Sequence, residues 1–327
     1  MKKIYLLCLV LSSISIAEGI KYETLDEEKK YVIDTSDKLR DLQIKSINYE
    51  LSNFNVSSEK TSGENFLESI EDENSKYEIG NNTYFIGNKD EYNINTKFNF
   101  GKVFDFEGNN ATLGINMGYV NGKINNNKLN GVNVGIYAKS YMPDYKLKIN
   151  TEHKFNYTNV EYEKAFKQNY LGVYGGIDIR TSLGSTFFVE PGVRASYTFN
   201  LDSNVLDQNE DKIELKKGIN ASIGGLARVG YIFGKENKFK LSLGYSLDKR
   251  LNNLNKYNIF NKNVEKPANN YITHDVDMQF DVNLKEKHKL SLSVGKNTGG
   301  YKGGLSCLLY TSPSPRDRTR SRMPSSA

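Results

Sequence analysis

From about residue 111 to residue 304, apolar residues alternate with small or polar ones in segment after segment. The run 186–199 shows the pattern best. Phe187, Val189, Pro191, Val193, Ala195, Tyr197 and Phe199 share one parity, while Thr186, Phe188, Glu190, Gly192, Arg194, Ser196 and Thr198 share the other. Successive side chains of a strand point to opposite faces, so such a run has one apolar and one largely polar face. About twelve strands are expected on this basis, at 77–86, 92–106, 111–120, 131–141, 145–157, 169–183, 186–201, 214–234, 238–250, 273–284, 289–296 and 301–306. Turn-formers such as Gly108-Asn109-Asn110 and Met142-Pro143-Asp144 separate them, and two connections, 202–213 and 251–272, are longer.

Strand length decides what the apolar face meets. Strands of soluble sheets average about five or six residues, whereas most of these reach about ten or more, enough to cross a bilayer at a tilt. The other face, with Gly114, Asn116, Gly118, Asn133, Gly172, Gly176, Ser222 and Ser242, suits a crowded, wet lumen. Tyrosines fall at strand ends (Tyr119, Tyr141, Tyr145, Tyr157, Tyr231), where an aromatic girdle meets lipid headgroups. The mean hydropathy of −0.59 is no objection, because a barrel shows lipid only every second residue. A sheet in lipid must close to pair its backbone. The expected fold is therefore all-β: an antiparallel transmembrane β-barrel of about twelve strands, preceded by a short helical and linker segment.

Residues 1–17 read as a signal peptide, with Lys2 and Lys3, an apolar run 4–16 and small residues before Glu18. Residues 18–75 are charged and free of proline. Leu39, Leu42, Ile47, Leu51 and Phe54 predict an amphipathic helix over about 37–54, with Thr35 or Ser36 as N-cap and a polar linker over 57–75. Residues 307–327 differ from the body. They hold Arg316, Arg318, Arg320 and Arg322 and three of six prolines, in a chain that otherwise relies on lysine. This tail resembles translated adapter sequence and is expected to be non-native. Without the tail and signal, the formal net charge of +5 falls to about zero, so the charge argues for no nucleic-acid partner, and both cysteines (Cys8, Cys307) are lost.

Residues 76–306 resemble the C-terminal translocator barrel of bacterial autotransporters, the type V secretion family. The resemblance rests on Leu129-Asn130-Gly131-Val132-Asn133-Val134-Gly135-Ile136-Tyr137, Tyr170-Leu171-Gly172-Val173-Tyr174-Gly175-Gly176, Phe187-Phe188-Val189-Glu190-Pro191-Gly192-Val193-Arg194-Ala195-Ser196-Tyr197 and Leu226-Ala227-Arg228-Val229-Gly230-Tyr231. It implies twelve strands, a bacterial outer-membrane location, assembly by the outer-membrane barrel machinery and a helix threaded through the pore, here 37–54. Two departures stand out. Fewer than 60 residues lie between the cleavage site and the first strand, where the family carries a large passenger. The last strand begins at Tyr301 and is interrupted after Ser306 by the tail, so the barrel is expected to close poorly.

The chain has no nucleophile elbow, P-loop, His-Glu-x-x-His or Cys-x-x-Cys, so no enzymatic role, metal or cofactor is expected. His153, His274 and His288 are expected at strand ends, in loops or the girdle. Asp178, Arg180, Glu190, Arg194 and Arg228 take lumen parity on neighbouring strands, where they could pair and grip a threaded segment or simply pack the lumen. The expected function is translocation or anchoring of a short N-terminal segment at the cell surface, with outer-membrane lipids and the chain's own N-terminal segment as partners. The alternatives are a non-translocating pore or structural barrel and an adhesin-like barrel acting through its long loops.

Overall fold

Each alternating segment becomes one stave of a closed barrel. The computed structural model describes residues 20–52, 76–106, 109–162, 167–201, 203–206, 212–216, 218–234, 238–251, 254–259, 262–267, 272–284 and 288–311. The signal peptide, the linker over 57–75 and residues 312–327 lie outside the described residues. The staves are β1 (Lys76–Gly87), β2 (Glu91–Phe106), β3 (Asn109–Ile124), β4 (Asn127–Met142), β5 (Leu147–Glu161), β6 (Lys167–Thr181), β7 (Phe187–Asn200), β8 (Gly218–Phe233), β9 (Phe239–Arg250), β10 (Ile272–Leu284), β11 (His288–Asn297) and β12 (Gly300–Thr311). Each pairs antiparallel with the next, and β12 returns to β1 from Tyr301↔Gly87 to Thr311↔Tyr77, so the ring of strands closes.

The closure corrects one expectation. β12 does not stop at Ser306 but runs through Cys307–Thr311, which pair with Asn81–Tyr77 of β1. Alternation persists there, with Leu305 and Cys307 exposed and Leu308 buried, so this piece of sequence serves as the last stave whatever its composition. The β3–β4 turn is only Asn125 and Asn126, both at positive φ (49° and 69°), the conformation a two-residue hairpin of matching twist requires.

The long β7–β8 and β9–β10 connections are themselves structured. Ser203–Leu206, Lys212–Leu215, Leu254–Ile259 and Lys262–Pro267 form a small sheet, and Ile20–Lys21 adds to its edge in parallel, Ile20 opposite Val264. This sheet caps the long-loop end of the barrel. Ile213, Leu215, Tyr257, Ile259 and Val264 of the cap pack in one apolar cluster with Ile124, Leu129, Val160 and Tyr170 from the strand ends below.

The helix α1 (Glu27–Ser52) begins ten residues earlier than the apolar stripe suggests. Asp26, not Thr35 or Ser36, caps it: its Oδ1 accepts the Lys29 backbone N–H at 2.8 Å, and its carbonyl accepts from Lys30. Ser36 lies buried in mid-helix, its hydroxyl donating back to the Val32 carbonyl. The stripe underestimates α1 because both polar and apolar residues are buried around it, as a helix inside a polar-walled lumen requires.

Outside, the apolar parity is exposed. Ile136 is 62% and Ile219 66% accessible, while Asn116 and Arg194 on the opposite parity are each 2%. Exposed aliphatic residues all round a closed barrel form a belt built for hydrocarbon, not water. Among the described residues no helix is long and apolar enough to cross a membrane.

A lumen that grips its own helix

The direction of α1 follows from what its two ends touch. Near its start the Tyr31 hydroxyl donates to the Asn125 carbonyl in the β3–β4 turn (2.5 Å), and Lys38 pairs with Glu91 at the first residue of β2. Both lie at the long-loop end. At its finish the Leu51 and Ser52 carbonyls accept from Arg180, which stands opposite Lys148 near the short-turn start of β5. The N-terminal half of α1 therefore sits under the cap, and its C-terminus points toward the end where β1 begins.

Two arginines hold that C-terminus. Arg180 Nη2 reaches the Leu51 and Ser52 carbonyls at 3.3 and 3.0 Å while Asp178 fixes its guanidinium bidentately at 2.7 and 2.9 Å. Arg194 Nη1 donates to the Asn48 carbonyl (2.8 Å) and to Ser52 Oγ, and is itself anchored by Asp248 and Ser246. The last carbonyls of a helix have no intrahelical partner and carry the negative end of its dipole, so cationic donors suit this position on both counts. Glu190 and Arg228 pair with charges of the wall. Glu190 pairs with Lys148 at 2.6 Å, and Arg228 with Asp277 at 2.5 Å. Of the five charges singled out in the sequence, Arg180 and Arg194 contact α1 directly, Asp178 holds one of them, and two belong to the wall.

The centre of the grip is a set of residues that parity marks as lumenal but nothing singles out. Glu50 of α1 lies between Lys97 of β2 (2.6 Å) and Lys154 of β5, and both lysines also meet Glu152, at 2.9 and 3.1 Å. All four side chains are 0–1% accessible. Asn116 donates to Glu152 (2.7 Å), and Tyr84 donates to Glu50 while accepting from Asn95 (2.9 Å). The wall alone presents two lysines against one glutamate, and Glu50 balances the set. No residue in the helix segment forecasts this partner from sequence, because the match depends on how deep α1 sits.

A third set clamps the N-terminal half. Lys266 of the cap donates to Asp34 (2.6 Å) and Asp37 (2.8 Å), Tyr257 donates to Asp37, Tyr22 donates to Asp34 (2.6 Å), and Arg250 pairs with Asp41. Burial opposes charge on Lys266, but the nearby Asp37 and Asp34 carboxylates outweigh it and raise its pKa above the ordinary lysine value. Burial together with Asp34 raises the Tyr22 hydroxyl, keeping it a donor.

The histidines differ from expectation in one case. His153 lies in mid-strand on the outer face of β5, its Nδ1 2.9 Å from the Tyr197 hydroxyl and its Nε2 3.0 Å from Thr151 Oγ1. Its two polar neighbours satisfy a ring that would otherwise face the belt bare. Among the described residues, no group of three or more His, Cys, Asp or Glu is arranged to hold a metal ion.

No family model and no curated protein sequence matches the chain. Solved structures do. The translocator domain of the autotransporter NalP from Neisseria meningitidis aligns over 85% of this chain and 97% of its own length, with a TM-score of 0.56 at 10% identity. The β domain of the Bordetella autotransporter BrkA aligns over 72% and 98%, with a TM-score of 0.50 at 11% identity. The chain thus has the fold of the autotransporter translocator domains, a closed outer-membrane-type barrel of twelve antiparallel strands, reached with a sequence far from theirs.

Proposed function

We propose that this protein is a non-enzymatic outer-membrane barrel that holds its own short N-terminal segment at the cell surface. The observation that carries this reading is the polarity of α1. It enters under the long-loop cap and points its C-terminus toward the end where β1 starts, so the chain before Glu27 emerges on the long-loop side. In an outer-membrane barrel the longer loops face outward and the short turns face the periplasm. The bilayer lipids and the lumen wall are its immediate partners, and the barrel assembly machinery is the partner that inserts it.

The alternative of a passive pore fits less well, because the apolar cluster beneath the cap and the clamped helix both occupy the passage. Conductance in planar bilayers separates the two. The full chain should be almost silent, and deletion of residues 18–52 should open large, steady channels. A full chain that conducts as well as the deletion variant would overturn the reading of a held segment.

A further inference from the structure

The outer face at the long-loop rim carries a pattern that the lumen does not explain. Asn121 of β3, Asn130 of β4, Asn159 of β5 and Asn169 of β6 are consecutive register partners, a single row of amides across four strands. With strands about 4.8 Å apart, the row is about 14 Å long. It is ordered by a repeated device: Tyr119 and Asn121 both donate to Asn130 Oδ1 (3.1 and 2.9 Å), and Tyr157 and Asn159 both donate to Asn169 Oδ1 (2.8 and 2.8 Å).

The rows on either side place the amides. Toward mid-barrel come Tyr119 and Tyr157, then Met117, Val134 and Phe155, which are 50–57% accessible and belong to the lipid belt. Toward the loops the next row sets Lys123 directly opposite Lys128, both on the outer parity. Like charges directly opposite on neighbouring strands repel. Glu161 stands opposite Lys128 on its other side, which leaves the row cationic. From hydrocarbon outward the surface therefore runs apolar, tyrosine, neutral amide, cation.

We infer that this face binds the headgroup of a phosphorylated glycolipid, with acyl chains on the apolar rows, sugar hydroxyls on the asparagine row and a phosphate between Lys123 and Lys128. A phospholipid would use the cations but has no polyhydroxylic group to fill the amide row. The inference rests on the outer-membrane reading given above, and a binding measurement on purified protein separates the two, since cell fractionation alone reports location.

The test uses the full chain in detergent, checked for barrel closure by migration on unheated gels. It is titrated with bis-phosphorylated lipid A and, separately, with phosphatidylglycerol. Wild type should favour lipid A. N130V/N159V should weaken lipid A binding about tenfold, the value of two lost neutral hydrogen bonds, and leave phosphatidylglycerol unchanged. K123T/K128T should weaken both lipids about tenfold or more, most strongly at low salt. Equal affinity of wild type for the two lipids, or lipid A binding unaffected in closed N130V/N159V barrels, would overturn the inference.

Discussion

Replacing Glu50 with Gln removes one charge and almost no volume, which isolates the electrostatic part of the grip on α1. In the wild-type lumen Lys97 and Lys154 share Glu50 and Glu152, all four fully buried. In E50Q the two lysines share one carboxylate, so one buried positive charge is left without compensation. Breaking a buried ion pair by removing one partner costs about 3–5 kcal/mol. At about 1.4 kcal/mol per factor of ten, α1 should leave its seat roughly a hundred to four thousand times more often. Hydrogen exchange of the backbone amides of residues 42–52, measured in lipid nanodiscs, reports that opening, because exchange samples local unfolding free energies. A second variant separates charge balance from the loss of one contact. In E50Q/K97M only Lys154 and Glu152 remain, a balanced pair, so the double variant should protect α1 better than E50Q alone. Exchange in E50Q within about threefold of wild type, or a double variant worse than the single, would refute the view that charge balance seats the helix.

Four further outcomes follow from the same contacts. R194A leaves Asp248, which is 2% accessible, without its guanidinium and frees the Asn48 carbonyl, so the α1 C-terminus should exchange faster while barrel migration on unheated gels stays intact. The Lys266 clamp holds fully below the ordinary lysine pKa of about 10.4 and is lost as pH rises through its higher folded value, so cap proteolysis should be flat from pH 7 to 10 and accelerate above that, and K266M should be fast throughout. D26A should cost about 1 kcal/mol of helix stability, seen as faster exchange in the first turn of α1 alone. Truncation after Ser306 removes the partners of Tyr77–Asn81 in β1, so the shortened barrel should lose its unheated-gel shift at a lower temperature than the full chain.

Period-two alternation made the barrel legible. Thr186–Phe199 displays its two faces without ambiguity, and parity alone separates exposed Val193 from buried Arg194. Strand length gave the membrane reading, since ten or more residues cross a bilayer. The helix was only half legible, because a search for an apolar stripe finds Leu39, Leu42 and Ile47 but not the Asp26 cap or the buried polar residues between them. Registry across the lumen was not legible. Arg180 and Arg194 could be placed inside by parity, yet their bonds to the Asn48, Leu51 and Ser52 carbonyls depend on the depth of α1. Glu50 meets Lys97 and Lys154 for the same reason, across separations of 47 and 104 residues. Composition does not mark the end of β12, because composition is a statement about origin, whereas pairing needs only an extended backbone with donors and acceptors in step.

With α1 held in the lumen, the N-terminal segment is expected to stand on the outer surface. An epitope inserted after Lys21, paired in the same cells with a second epitope within residues 285–287, between β10 and β11, tests it directly. External protease applied to intact cells should remove the first epitope and spare the second until the outer membrane is permeabilised. Protection of the epitope at Lys21, with the second epitope cut instead, would show that the N-terminal segment does not stand on the outer surface.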